Sequence, residues 1–238
     1  MTIPTITGII DRRMLINFTV DLEVAKTILP APFTPKNFRG KAIAGICLIR
    51  LKHVRPKGFP AFIGVGSDNG AHRIAVEWME DGQIKEGVYI PRRDTSSAFN
   101  ALVGGRVFPG KHYHAKFDVK EDLDNYHITF KSSDATTITV DSKVTDKLSS
   151  NSIFKNLSEA SAFFQAGPTG YSPNGDKFDG LNLQTYKWEM KPLEVTAVHS
   201  TFFENNAIFP EGSVQFDNAL LMTNIEHEWK SVPDKYSY

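Results

Sequence analysis

Residues 41–54, KAIAGICLIRLKHV, decide the fold. Read as a strand, the stretch puts Ile43, Gly45, Cys47, Ile49 and Leu51 on one side and Ala44, Ile46, Leu48 and Arg50 on the other, because successive side chains alternate. Both faces are largely apolar, which suits a strand covered on both sides or lining a barrel. N-terminal to it, 13–19 reads as another strand, and Asp21 opens a short helix through Leu29 that Pro30 stops. C-terminal to it, 62–65 suggests a further short strand and 67–70 (SDNG) a turn. Residues 72–79 and 84–92 form a hairpin over 80–83, where Asp81-Gly82 is a strong turn signal.

The next stretch, 86–119 (EGVYIPRRDTSSAFNALVGGRVFPGKHYHAKFDV), concentrates the chemistry. Asp94, Thr95 or Ser96 caps a short helix through Val103, and Gly104-Gly105 ends it. Residues 113–119, 126–132 and 136–144 then alternate apolar with polar side chains as an antiparallel meander. The period changes over 149–165, where Ile153, Leu157, Ala160 and Phe164 recur at helical steps and Ser158 offers a restart cap. The Gly- and Pro-rich 168–180 reads as a surface turn, 181–190, 193–203 and 220–229 as closing strands, and 230–238 as a fraying tail. The sum is a mainly β (α+β) chain: a single domain over 1–238, an antiparallel barrel or sandwich with a few short flanking helices.

Composition narrows the function classes. Hydrophobic residues make up 41% and aromatic ones 11%, enough for a sizeable core and a lined cavity. Lys+Arg and Asp+Glu are both 27, so no net field draws the chain to nucleic acid or an anionic membrane. The one cysteine, Cys47, forbids an internal disulfide and reads as a buried, inert thiol. No leader or membrane-length apolar run is present, which places the chain in the cytoplasm.

Candidate site residues follow from residue type. Lys111, in RVFPGKHYH between Arg106 and His112, has the surroundings of a tuned amine, since neighbouring cations and poor solvation favour the neutral form; an ordinary solvated loop lysine is the alternative. His112 and His114 share a strand face and, with His72, make a three-nitrogen set, but no acidic residue accompanies them at ligand spacing, so no metal is assigned. Arg92 and Arg93 point to opposite faces; one of them can hold a carboxylate inside, and pairing with Asp94 or Glu86 at the strand end is the alternative. His199 alternates with Val195 and Ala197 and faces a cavity or the core. Trp188 and Trp229 on an exposed strand face would mark an interaction protein. No nucleotide or hydrolase motif occurs, and no cofactor is expected.

Two segments together carry a likeness to a known family. VDLEVAKTILPAPF after a basic strand, and a GGR turn leading through Pro109 to Lys111, resemble the acetoacetate decarboxylase-like superfamily. The strand after Gly40-Lys41, Phe163-Phe164 and the PLEVTAVH strand resemble its YqjF-like bacterial branch, over about 12–232. The resemblance implies an antiparallel β-barrel with a small-molecule pocket. It places the walls on 43–51, 74–78, 88–92 and 195–203, the mouth beside Phe99 and Phe108, and a polar anchor at Arg92 or Arg106. In the family's decarboxylases a lysine forms a Schiff base with a keto acid and a second lysine follows it directly; Lys111-His112 stands there in this chain. The family arginine of the first strand falls at Arg12 or Arg13, and a family glutamate near Asn69. The expected function is therefore a small-molecule-binding barrel without the decarboxylase lysine pair. The alternative is a lyase acting on a small keto acid through Lys111, with His112 and Arg106 assisting and Arg13, Arg92, Phe99, Phe108, Tyr113 and His199 binding substrate. The partner expected is a small-molecule ligand or substrate, with homo-oligomerisation left open.

Overall fold

The computed structural model of the chain describes residues 4–98, 101 and 110–232. Its first elements are β1 (Ile6–Asp21), α1 (Leu22–Ile28), β2 (Thr34–Pro35), β3 (Asn37–Phe38), β4 (Lys41–Pro56) and a 3-10 turn at Ala61–Ile63. There follow β5 (Val65–Glu80), β6 (Gln83–Thr95), β7 (His112–Asp122), β8 (Asn125–Ser132), β9 (Thr137–Val144) and α2 (Leu157–Gln165). The last are β10 (Thr169–Asn174), β11 (Lys177–Thr185), β12 (Lys191–Ser200) and β13 (Val214–Val232). Among these residues no helix is long and apolar enough to cross a membrane. Most of the helix expected over 94–103, and with it Phe99, Arg106 and Phe108, lies outside the described residues.

The strands form one mixed sheet, mostly antiparallel. The expectation of a purely antiparallel sheet is corrected at β6, which runs parallel to both β7 and β10. Parallel neighbours require a long crossover, and each reaches β6 that way: β7 after 96–111, β10 after α2. The pairings close on themselves along β6–β5–β4–β1–β13–β11–β10 and back to β6. A second circuit runs β6–β7–β8–β9–β12–β13 and returns through β1, β4 and β5.

The shared strands have two interiors to fill, which is why 41–54 is apolar on both faces. Ala44, Ile46 and Leu48 join Met14, Ile16, Phe130, Ile138 and Val140 in one core. Ile43, Cys47 and Leu51 join Ile10, Leu15, Leu220 and Met222 in the other, under Ala160 of α2. The β5–β6 hairpin turns at Asp81 and Gly82, both with positive φ (52° and 75°), as its Asp-Gly pair demands.

Five local readings are corrected. Residues 62–65 are not a strand: 61–63 forms the 3-10 turn, with Phe62 exposed. The turn expected at 67–70 lies within β5, where Asp68 binds Arg12 and Gly70 passes Phe130 so closely that an added Cβ would sit 2.7 Å from its ring. The helix expected from 149 starts at Leu157, where the Asn156 carboxamide accepts the Glu159 amide at 2.9 Å. The supposed surface turn 168–180 instead holds β10 and the start of β11, the hairpin that closes the first circuit, and the strand read as 181–190 ends at Thr185.

Closure depends on glycine. A Cβ on Gly87 of β6 would collide with the Thr169 carbonyl and with the Trp78 ring. Gly87→Ala is expected to lower the unfolding free energy by about 1–3 kcal/mol, measured by urea titration, because backbone cannot give way as a side chain can. His72 of β5 is fully buried, 3.8 Å from Asp94 and against the Phe202 ring at 4.4 Å. Burial, then the Arg92 charge, lowers its pKa to about 3. Unfolded imidazole titrates near 6.5, so this contribution is present above that pH and is lost as the pH falls toward 3. Between pH 7.5 and pH 5 the site removes about 2 kcal/mol of stability; an unchanged urea midpoint over that interval would contradict a buried neutral imidazole.

Candidate functional site

The first circuit encloses a cavity of about 170 Å³. Arg13 of β1, Cys47 of β4, Arg73 of β5 and Arg93 of β6 supply its polar lining; Phe164, Trp188 and Trp229 are its aromatic walls. A second lobe of about 80 Å³ meets it at Cys47, Ala71, Arg93 and Trp229 and adds Asn69 and His112.

The three arginines are built differently from other arginines on the same strands. Arg13 donates from Nε to the Cys47 sulfur at 3.3 Å and lies over the Trp188 ring at 5.9 Å, while its Nη1 is buried with no partner among the described residues. Arg73 donates from Nη2 to the Asn17 carboxamide oxygen, and its guanidinium lies over the Phe164 ring at 5.0 Å. Its Nε is likewise buried without a partner among those residues. Arg93 donates to Ser172 Oγ at 2.9 Å. Burial lowers the pKa of both Arg73 and Arg93 to about 10. Among the described residues none of the three forms an ion pair with a carboxylate. Their sequence neighbours do: Arg12 binds Asp68 at 2.9 Å and also Glu121, and Arg92 binds Asp94 at 2.7 Å and Asp134 at 2.6 Å. Alternation along β1 and β6 sends the paired member of each couple to one face and the unpaired member to the cavity.

Arg73 is held from behind. Asn17 donates to Asn218 Oδ1 at 2.8 Å, and Asn218 donates to Asp217, which also accepts Ser152 Oγ at 2.8 Å and the Ile153 amide. Both asparagines are buried. His112 projects into the smaller lobe with Nδ1 3.2 Å from the Gly110 carbonyl, and burial, then the nearby Arg93 charge, lowers its pKa to about 3. The imidazole is neutral there.

Of the residues singled out in the sequence, Arg13, Cys47, Arg93, His112, Trp188 and Trp229 reach the cavity. Phe99, Arg106 and Phe108 lie outside the described residues, and the rest are placed elsewhere. Arg92 is committed to its two aspartates, and Arg93 takes the inner position. Lys111 is exposed, its ammonium 4.7 Å from the centroid of Tyr113, and both border an outer cleft that Ile90 and Arg93 also line. Tyr113 spends its other contact on the Arg92 guanidinium, 4.2 Å away. His199 is exposed beside Glu204, so 195–203 contributes no wall; 181–185 and the end of α2 take its place. The wall expected from 74–78 comes from Ala71 and Arg73 instead, because Ile74, Val76 and Trp78 pack in the opposite core. His72 lies in that core and His114 is exposed, so the weighed metal set is not assembled. Trp188 and Trp229 line the cavity instead of an outer face. Arg73 and Asn17 gave no sequence signal beyond a polar residue inside an apolar run.

The architecture has known counterparts. An acetoacetate decarboxylase from Legionella pneumophila superposes with a TM-score of 0.63 at 11% identity, covering 98% of this chain and 89% of that one. An acetoacetate decarboxylase-like enzyme from Sphingomonas wittichii RW1 gives 0.62 at 10% identity, covering 99% and 94%. The enduracididine biosynthesis enzyme MppR complexed with pyruvate gives 0.57 at 9% identity, covering 99% and 91%. At such identities the likeness is one of fold. No curated protein matches the chain in sequence. The family model of DUF2071, an uncharacterized conserved protein family (COG2071), matches residues 10–222, and the chain belongs to that family, with an acetoacetate decarboxylase-like fold.

Proposed function

We propose that the protein binds a small organic carboxylate inside its first circuit of strands, that this circuit is the barrel of the superfamily, and that binding proceeds without a decarboxylase lysine pair. The observation that carries the reading is the trio Arg13, Arg73 and Arg93, which form no ion pair among the described residues while Arg12 and Arg92 do; Asp179 acts on Arg93 only from beyond ion-pair distance. A buried cation without a counter-ion is costly, and a carboxylate that accepts from a guanidinium fork relieves that cost with strong, directional bonds. Trp188, Trp229 and Phe164 suit a short apolar body behind the charged group. The pyruvate held by MppR, a protein of the same fold, supports the ligand class.

The competing reading is a lyase with a Schiff base on Lys111. A reactive amine has to be desolvated or crowded by cations inside the site, whereas Lys111 is exposed and sits over the Tyr113 ring, outside the cavity lining. The cavity contains no lysine among its described lining residues.

Calorimetry with pyruvate and acetoacetate tests the binding reading. At least one of them is expected to bind, to lose about tenfold or more in affinity in Arg93→Gln, and at a hundredfold excess over Kd to add about 2.7 kcal/mol of stability. Binding of neither, or binding indifferent to Arg93, would sink it. For the lyase reading the decisive measurement is borohydride reduction of the protein with the same keto acids, followed by peptide mass. No adduct is expected on Lys111; an adduct that disappears in Lys111→Ala would restore the Schiff-base enzyme.

A further inference from the structure

We infer that the ligand spans both lobes of the cavity and that Ala71 sets its length, so that the preferred ligand is a medium-chain monocarboxylate of about the size of octanoate rather than a keto acid as small as pyruvate. The inference rests on the carboxylate-binding reading above and adds the shape of the molecule to it.

The two lobes form one interior. Cys47 and Ile49 of β4, Ala71 of β5, Arg93 of β6, Leu181 of β11 and Trp229 of β13 line both. Ala71 is in register with Cys47 on one side and with Arg93 on the other, while Leu181 and Trp229 come from the paired strands across the circuit. Ile49, Ala71, Leu181 and Trp229 are only partly buried, as side chains that border free space must be. Alternation along β5 explains the opening between the lobes. Asn69, Ala71 and Arg73 share the cavity face, with Asn69 in the smaller lobe, Arg73 in the larger and the smallest of the three side chains between them. A leucine at 71 would push its branched end into this waist and divide the cavity.

Volume gives the size of the ligand and charge its direction. A cavity of about 150 Å³ accepts benzene, about 25 Å³ for each non-hydrogen atom, so lobes of about 170 Å³ and 80 Å³ take a molecule of about ten such atoms. Octanoate has that size; pyruvate would leave the smaller lobe unfilled. Arg13, Arg73 and Arg93 all line the larger lobe, whereas the smaller one has Arg93 alone and contains the Asp94 carboxylate, so the charged end of the ligand belongs in the larger lobe. Its chain then crosses the waist beside Ala71 and ends against Leu51, Val54 and Val65.

Calorimetry with butanoate, hexanoate, octanoate and dodecanoate tests the length. A buried methylene contributes about fourfold in affinity, so Kd is expected to fall about fourfold per methylene from butanoate to octanoate and no further at dodecanoate. In Ala71→Leu the ratio of octanoate to butanoate affinity is expected to drop at least about tenfold, the loss of roughly two buried methylenes. Ala71→Val, a smaller insertion with a smaller drop, takes its place should that variant not fold. Equal affinities along the series, gains that continue through dodecanoate, or a ratio indifferent to a larger side chain at 71 overturns the two-lobe ligand. Pyruvate binding that depends on Arg93 would leave the carboxylate reading standing in any of those cases, whereas binding of pyruvate and of the whole series that is indifferent to Arg93→Gln removes both.

Discussion

Everything in this molecule depends on a wall of strands with an interior on each side. Strands β1, β4, β5, β6 and β13 belong to both circuits of pairing, so consecutive residues along them have opposite fates. Arg12 meets Asp68 and Glu121 while Arg13 meets Cys47; His72 lies against Phe202 while Arg73 faces the cavity. A slip of one residue would exchange each pair, burying carboxylate-bound arginines in the cavity and sending the free ones into the apolar core. What prevents the slip is burial on both faces at once, since Ile46 and Leu48 fix one side of β4 while Ile43, Cys47 and Leu51 fix the other.

This arrangement explains which parts of the fold were legible in the sequence. The doubly apolar 41–54 could only be a strand between two cores, and Asp81-Gly82 could only be a tight hairpin turn, because both signals are local and physically exclusive. The readings that failed rested on turn chemistry that tertiary partners overrode. Ser67 to Gly70 has the composition of a turn, but Asp68 finds Arg12 and Gly70 admits Phe130, and the strand runs through. Gly170 and Gly180 looked like turn residues and are close-approach positions, where an added Cβ would meet Ile90 in the first case and Tyr171 and Val232 in the second.

The site was legible only in part, for the same reason. Alternation shows that Arg92 and Arg93 cannot both enter a barrel. Which one does is set by the shift in pairing between His72 and Ile74, a property of two strands that neither reveals alone. Cys47, Arg73 and Trp229 lie far apart in the chain and are gathered by the circuit, so no motif connects them. The family likeness directed attention to Lys111, and the fold is indeed shared; yet a fold hosts many chemistries, and the titratable side chains among the described lining residues are arginine, cysteine, aspartate and histidine.

The free arginines are also what the fold could most easily have avoided. Buried donors left without acceptors cost about 1–3 kcal/mol each, and apolar residues at 13, 73 and 93 would have extended a lining that is otherwise largely hydrophobic. Instead the chain adds supports that make sense only if the charges stay. Phe164 and Trp188 place ring faces near the guanidinium groups of Arg73 and Arg13, and aromatic faces attract cations without supplying a counter-ion. Asn17 and Asn218 commit two buried carboxamides to one edge of Arg73 and tie it through Asp217 to the segment that enters α2. A carboxylate at any of these points would have been a simpler way to stabilise the arginines, and Asp68, Asp94 and Asp134 show that the same strands and turns use it freely one face away. Withholding it inside the cavity sacrifices stability, which is the trade the carboxylate-binding proposal predicts for residues kept for binding rather than for the fold.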